Sequence, residues 1–283
     1  MKKTIYLTVL SLITVFCIIA GSIYHISGWI GFGLDNFFNF ISDNGSSISG
    51  SYDQETYAED LDTFNKIKID TDVMNINIKE GNTFHIEYDS PENRKPEFNV
   101  FDSTLEVKQQ SARGWLRNHI NYKCDMTITI PSGTALDSAD ITTDVGNIHL
   151  DNIECKDFKL ESDVGNVDIK SCTFNYSEIE SDVGNIEAAS SDLGNSNIET
   201  DTGDIDITTC AFKNIDIYND IGNVGLESSK INTSDYTIDL STDVGSVKYK
   251  GEKHKKSFYQ AASGSPETYK ITIETDIGNI SFD

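Results

Sequence analysis

Residues 144–162 read DVGNIHLDNIECKDFKLES, and residues 163–181 repeat the pattern as DVGNVDIKSCTFNYSEIES. Each segment has 19 residues, begins with an Asp-Val-Gly-Asn turn and continues with apolar residues at regular positions. The turn returns seven times, with its glycines at Gly146, Gly165, Gly184, Gly203, Gly222, Gly245 and Gly278. A short fixed period of this kind is typical of stacked repeats that bury a core only against each other.

The apolar residues of each repeat are best compared by counting positions from its glycine. They recur at positions 2 and 4, 7 and 9, and 12 and 14, as in Val167, Ile169, Cys172, Phe174 and Ile179 of the second repeat. A step of two fits a strand with one buried face, and a step of three between pairs fits a corner. The pattern therefore predicts an all-β, solenoid-like stack of 19-residue coils with three short strands per coil.

The glycine itself has a predicted cause at the corner that closes each coil. A type II turn has glycine at its third place, where φ is positive, and Asp or Asn on either side can bind the turn backbone. We therefore expect each turn Asp to form a hydrogen bond with its own turn.

The N-terminal segment is typical of a membrane anchor. Residues 4–24 carry no charge and are long enough, as a helix of roughly 30 Å, to cross a bilayer. Residues 1–3 contain Lys2 and Lys3 and are expected in the cytoplasm, so the rest of the chain is expected outside it. A cleaved signal peptide is the alternative, because Ala20-Gly21-Ser22 offers a small-residue cleavage site.

Two further regions follow the predicted anchor. Residues 25–60 begin with an aromatic juxtamembrane segment and continue as a Ser-, Gly- and acid-rich stretch that we interpret as a flexible stalk. Residues 61–283 hold the repeats and are predicted to form one extracytoplasmic β-repeat domain. The expected location is the cell membrane, with a single span.

Charge and cysteine content narrow the possible partners. The formal net charge of -24 repels nucleic acid and favours cations or basic partners. Cys172 and Cys210 lie two repeats apart, roughly 9.6 Å in a β stack, which is beyond disulfide reach. We expect these two, with Cys124 and Cys155, to be small buried residues, and a disulfide or metal pair is the alternative.

Columns of acidic residues are the clearest candidates for ligand chemistry. Stacked carboxylates about 4.8 Å apart repel each other by roughly 1 kcal/mol even in water, so something must offset the repulsion. Hydrogen bonds to the turn are one explanation. Calcium is the other. Its candidate ligands are Glu161, Asp163, Glu180, Asp182, Glu199 and Asp201.

A carbohydrate-active solenoid enzyme is a further alternative, since such enzymes place paired carboxylates on adjacent coils. An active site needs a pair whose environments differ, whereas these repeats offer nearly the same acids in every coil. The sequence predicts no catalytic residue and no cofactor.

Two irregular stretches stand out as candidates for partner contact. One carries Arg113, Trp115 and Arg117 before the regular repeats begin. The other lies between Gly245 and Gly278. Its candidate contact residues are Lys253, Lys255, Lys256, Phe258 and Tyr259. Insertions in repeat proteins often lie on one face and make contacts, so these residues are where we expect an envelope protein or an anionic wall polymer to bind.

The segment TITIPSGTALDSADITTDVGNI at 127–148, followed by repeated (S/T)-D-x-G-(N/D)-I turns, resembles the bacterial putative-adhesin family of β-strand repeat domains. LiaG-like membrane-anchored proteins belong to that family. The resemblance covers Phe64 to Asp283 and includes the N-terminal anchor. It implies a repetitive all-β ectodomain on a Gram-positive cell envelope and transfers no catalytic or ligand residues.

These observations together predict a membrane-anchored, non-catalytic ectodomain with a binding, adhesive or envelope-sensing role. The alternative is a structural spacer or self-assembling scaffold. It rests on the expectation that the chain, ending at Asp283 just after a turn, leaves an open strand edge that invites pairing.

Overall fold

The computed structural model describes residues 54–109, 123–227, 229–264 and 268–283. No helix within these ranges is long and apolar enough to cross a bilayer. The predicted membrane segment lies outside them, as do Arg113, Trp115 and Arg117. The roles expected of those residues stay predictions.

Strands make up nearly all of the regular structure in the described ranges. They are β1 (Gln54–Asp60), β2 (Lys66–Val73), β3 (Asn75–Gly81), β4 (His85–Pro91), β5 (Glu97–Phe101), β6 (Thr104–Lys108), β7 (Asp125–Pro131), β8 (Ala135–Val145), β9 (Ile148–Asp151), β10 (Glu154–Val164), β11 (Val167–Lys170), β12 (Thr173–Val183), β13 (Ile186–Ala189), β14 (Asn195–Thr202), β15 (Ile205–Thr208), β16 (Asn214–Ile221), β17 (Val224–Glu227), β18 (Tyr236–Val244), β19 (Val247–Tyr249), β20 (Glu252–His254), β21 (Ser257–Gln260), β22 (Tyr269–Ile277) and β23 (Ile280–Phe282). Two single-turn 3-10 helices also lie in these ranges, at Glu92–Arg94 and Thr233–Asp235.

The strands form two sheets whose inward side chains share one apolar core. The short-strand sheet has the order β1-β4-β7-β3-β9-β11-β13-β15-β17-β23-β19-β20. The long-strand sheet has the order β21-β18-β22-β16-β14-β12-β10-β8-β2-β6-β5. Neighbouring repeats pair in parallel and in register, so that Val167 lies between Ile148 and Ile186. The predicted all-β stack of coils is confirmed.

The number of strands per coil differs from the prediction. The coils of β9–β10 and β11–β12 each have two strands, one of four residues and one of 11 residues. In the coils of β13–β14 and β15–β16 the second strand has only eight residues, and Asp192 or Ala211 before it pairs as an isolated bridge. The expected corner lies inside the long strand. In β10, Lys156 and Asp157 both point outward between the buried Cys155 and Phe158. Two successive outward residues bend the strand as a bulge does, but pairing with the neighbouring coils continues on both sides of the bend.

The core consists of columns of like residues, as the spacing predicts. Position 2 is at most 1% exposed in the five regular coils, where it holds Ile148, Val167, Ile186, Ile205 and Val224. Position 14 is fully buried and holds Leu160, Ile179, Ile198 and Ile217. Phe158 and Phe174 stack with ring centroids 4.6 Å apart. Each coil therefore completes the apolar surface of the next.

The C-terminal coil lies inside the stack. Strand β22 is flanked by β16 and β18, and β23 is flanked by β17 and β19. The expectation of an open strand edge at the end of the chain is therefore wrong, because β23 already has a partner on each side. The outermost coil at this end is the one formed by β18 and β19. Antiparallel strands β21 and β20 pair with it.

At the other end of the stack, antiparallel strands also pair with the outermost coil. The first coil, β2 and β3, lies inside β6 and β7, and antiparallel strands β5 and β4 pair with this outer coil. Strand β1 then pairs with β4. Residues 54–60 were expected in the flexible stalk, but in the structure they form β1 and pair along their whole length with β4.

Candidate functional site

The repeat glycines form a column in which the backbones of adjacent coils touch. A Cβ atom on Gly165 would lie 1.9 Å from the carbonyl oxygen of Gly146, and one on Gly184 would lie 1.8 Å from that of Gly165. The predicted type II turn is wrong, because φ at Gly165 is 158°, close to extended backbone, whereas such a turn needs about 80°. Close approach of two backbones is what requires glycine here.

A ladder of asparagine side chains runs beside the glycine column at position 1. Oδ1 of Asn147 accepts a hydrogen bond from the N–H of Asn166 at 2.9 Å, and Oδ1 of Asn166 accepts one from the N–H of Asn185 at 2.9 Å. The same bond links successive coils through Asn75, Asn147, Asn166, Asn185, Asp204, Asn223, Asn279 and Ser246. The turn is therefore held by the neighbouring coil's Asn, and not by its own Asp as predicted.

Sequence reasoning missed a buried polar column three residues before each repeat glycine and, in the first coil, three residues before Met74. Its members are Thr71, Thr143, Ser162, Ser181, Thr200, Asn219, Thr242 and Thr275. Four of them donate to a glycine carbonyl, with Thr242 Oγ1 at 2.9 Å from the carbonyl oxygen of Gly278 and Asn219 Nδ2 at 2.7 Å from that of Gly203. The signal was the small polar residue, Ser or Thr in every coil except that of Asn219, directly before each turn Asp.

The predicted calcium ligands are spread along the outer face of the long-strand sheet. Burial, followed by Glu178 and Glu161, raises the pKa of Glu180, and burial with Asp163 raises the pKa of Asp182. Both shifts therefore come first from burial and then from repulsion by the neighbouring carboxylates. Within the described ranges no group of three or more acidic, His or Cys side chains is arranged to hold a metal ion. The geometry gives the calcium prediction no support.

A depression of about 260 Å³ lies at the corner that follows the short strands. Its lining includes Glu80, Glu154 and the turn around Gly133. The carboxylates with raised pKa values, Asp144 among them, lie instead on the open surface of the long-strand sheet. The pairing of a cleft with a perturbed carboxylate, which would indicate acid-base catalysis, does not occur in the described structure.

The four cysteines outside the predicted anchor are buried free thiols, as expected. Burial raises the pKa of Cys124 and of Cys172 to about 11, and that of Cys155 to about 12. Burial also raises the pKa of Cys210. A thiol with a raised pKa is a poor nucleophile at neutral pH, so these residues contribute to packing.

The Lys-rich insertion forms the C-terminal cap of the stack. Phe258 is half-buried and stacks on Tyr249 with ring centroids 4.1 Å apart, so its role is structural. Tyr259 points outward and is 66% exposed. Lys256 donates to the carbonyl oxygen of Asp243. Lys253 and Lys255 are exposed, and they form no ion pair or hydrogen bond with any residue that the structure describes.

The structure brings the three predicted lysines together around one depression of about 670 Å³. We call it the lysine depression. Its lining consists of Gly245, Ser246, Lys253, His254, Lys255, Lys256 and Ser257. Sequence reasoning missed the two serines and Gly245, although the Ser at position 1, where other coils have Asn or Asp, marks this coil as different. The depression concentrates positive charge on a strongly acidic chain.

One family's sequence pattern matches residues 64–282, which is most of the chain. The chain belongs to the Toastrack DUF4097 family. The match begins at Phe64, where the resemblance to β-repeat putative adhesins also begins, and it confirms that resemblance. No curated protein matches this Toastrack chain.

Several solved structures are similar to the Toastrack domain. A protein described as a putative adhesin from Bacteroides fragilis is 20% identical, with 84% of this chain and 100% of that chain covered and a TM-score of 0.46. A putative cell adhesion protein from Clostridium sporogenes is 16% identical, with coverage of 81% and 99% and a TM-score of 0.42. A putative lipid binding protein from Parabacteroides distasonis is 14% identical, with coverage of 83% and 99% and a TM-score of 0.38. Likeness of this extent assigns no role to any residue of the Toastrack chain.

Proposed function

We propose that this Toastrack chain is a non-catalytic binding domain, held outside the cytoplasm by its N-terminal segment and contacting an envelope partner through its C-terminal cap. The uncharged segment at 4–24, preceded by two lysines, supports the anchored topology. Membership of a family with adhesin-type resemblance supports a binding role.

The observation that carries the proposal is the contrast between the coils and their cap. The middle coils repeat the same outward acids at the same register, so none of them offers a distinct site. At the C-terminal cap, five of the residues from 248 to 256 are lysine and one is acidic. A localised positive patch on an acidic surface attracts an anionic partner and orients it.

In-cell photocrosslinking tests this proposal. A photoreactive amino acid replaces Tyr259 on the cap or, as a matched control, Tyr176, which is 42% exposed in the middle of the stack. We expect crosslinks to an envelope component from position 259 in intact cells. We also expect the double substitution Lys253→Glu and Lys255→Glu to abolish them, because it reverses the attraction.

The corresponding pair on β2, Lys66→Glu and Lys68→Glu, controls for net charge, since both lysines are exposed far from the cap. Crosslinks that survive the cap reversal, or that are lost equally with the β2 reversal, would show that the cap is not the binding surface.

One structural feature still supports the alternative function, a spacer or self-assembling scaffold: strands at both ends of the stack have a free edge. Strands β1 and β5 at one end, and β20 and β21 at the other, pair on one side only in the described structure. Glu59 and Asp60 on β1, and Lys253 on β20, are charges of the kind that protect edges from pairing. Sedimentation of the full chain over a range of concentrations decides this: a constant mass removes the assembly function.

A further inference from the structure

The backbone of the outermost C-terminal coil has a donor that the stack leaves unused. In the inner coils the glycine N–H donates to the next coil toward this end, as Gly222 does to the carbonyl oxygen of Ile277 and Gly278 to that of Val244, at 3.0 and 3.1 Å. Gly245 occupies the same position in the last coil. No described residue accepts a hydrogen bond from its N–H.

The direction of this N–H follows from the ladder. Because each equivalent N–H points along the stack toward the C-terminal end, that of Gly245 points out of the end of the stack. Gly245 is exposed, and it lines the lysine depression. The segment that carries Lys255 and Lys256 passes over the same turn, since Thr242 N–H donates to the carbonyl oxygen of Lys256 at 2.8 Å.

The depression therefore combines a free backbone donor with positive charges that have no partner among the described residues. Lys253 and Lys255 have no partner among the described residues, and the hydroxyl of Ser257 lies on the same lining. Backbone N–H groups, hydroxyls and ammonium groups that converge on one point are the donors that proteins use for phosphate.

We propose that the lysine depression binds the phosphate groups of a linear phosphate-containing polymer. This inference rests on the proposed function and names the chemistry of its partner. A phosphate group accepts hydrogen bonds from several directions, and so matches a surface where lysines and an unused backbone N–H line the same depression. A carboxylate is better matched by the planar fork of Arg, and the depression has none.

Calorimetric titration of the full-length protein in non-ionic detergent, with short-chain polyphosphate as the probe, tests the inference. We expect saturable binding that weakens as salt is added. The pair Lys253→Gln and Lys255→Gln should weaken it about tenfold, the size expected for loss of charge-assisted hydrogen bonds. The matched pair Lys66→Gln and Lys68→Gln should leave it unchanged.

A second readout reports on the backbone donor directly. In protein labelled with ¹⁵N-glycine, the Gly245 amide resonance should shift on adding polyphosphate. The Gly222 amide, whose bond to Ile277 is internal, should not move. A shift at Gly245 that disappears in the Lys253→Gln and Lys255→Gln protein would tie the donor and the lysines to one site.

Three results would overturn the inference: equal weakening by both lysine pairs, polyglutamate binding as tightly as polyphosphate, or binding only to phosphatidylglycerol vesicles. If polyphosphate does not bind but the crosslinks from position 259 still depend on Lys253 and Lys255, the phosphate assignment falls and the proposed binding function stands. Loss of the crosslinks' lysine dependence removes the proposed function itself.

Discussion

At the repeat turn, the carbonyl oxygen of one glycine occupies the space where a Cβ of the next would lie. A substitution at Gly184 tests this contact separately from any effect of backbone angle, because the φ of Gly184 lies outside the left-handed range. Gly184→Ala should lower the free energy of unfolding by more than about 4 kcal/mol, since neither backbone is able to move without breaking the ladder. Urea denaturation of the full chain measures the change.

Gly133→Ala is the matched control for that substitution. Its φ is 75°, and no atom lies within 4 Å of the added Cβ. We expect it to cost only about 1–2 kcal/mol, the penalty for a left-handed Ala. Equal losses at the two positions would show that backbone angle, and not contact between coils, explains the glycine column.

A second corner of the coil holds left-handed residues that are not glycine. They are Asn152, Ser171, Ser190 and Thr209, with φ between 54° and 60°. Of these four residues, Thr209 is the least suited to the left-handed conformation, because its side chain is β-branched. Thr209→Gly should therefore raise the free energy of unfolding by about 1 kcal/mol. Asn152→Gly should change it less, because Asn tolerates this conformation, and a larger gain at Asn152 would contradict the explanation.

At the scale of the element, the asparagine ladder ties each short strand to its neighbours. Asn185→Ala should lower the free energy of unfolding by about 1 kcal/mol, because the N–H of Asp204 loses its acceptor. Asn185→Asp should be tolerated, since Asp204 already fills the same role toward Asn223. Thermal unfolding of both variants checks the pair, and an equal loss would show that the acceptor is not what matters.

The strands of the regular coils could be predicted from the sequence because each column repeats one residue type. Val167, Ile169 and Ile179 identified buried positions without any knowledge of the partner coil. The bend at Lys156 and Asp157 was also predicted. Whether a bend ends a strand depends on pairing with the neighbouring coils, which periodicity does not describe. In the coils of β10 and β12 one long strand was therefore counted as two.

At the scale of the whole molecule, crowded carboxylates make stability depend on pH in an unusual direction. The pKa values of Asp144, Glu180 and Asp182 are raised in the folded chain by burial and then by neighbouring acids. The folded state therefore binds protons more readily than the unfolded state. We expect the free energy of unfolding to rise as pH falls from 7 through these raised pKa values.

The rise should reverse at lower pH. The pKa values of Asp137 and Asp283 are lowered by hydrogen bonds from Lys156 and Lys248, so their stabilising contribution is lost as pH falls through those lowered values. Asp182→Asn should raise stability at pH 7 and flatten the initial rise. Asp137→Asn should lower stability at pH 7 without flattening it. Urea denaturation across pH checks both, and a steady fall from pH 7 downward would contradict the prediction.

The ends of the molecule are where sequence reasoning failed most. The 19-residue period breaks after Gly222, and nothing in the residues that follow states that β22 lies between β16 and β18. The insertion was recognised as different and its lysines were singled out. Gly245 was not singled out. Its N–H is unused because no further coil follows at the C-terminal end of the stack, and the sequence of the turn itself does not show this.

The position of the β22–β23 coil inside the stack affects when the domain is able to close during synthesis. Residues 269–283 leave the ribosome after both of the coils that flank them, and they fill the gap between the coil of β16 and β17 and the coil of β18 and β19. A chain truncated before Tyr269 would therefore present two unpaired coil faces to proteases. The order of coils therefore makes synthesis of residues 269–283 a condition for closing the stack.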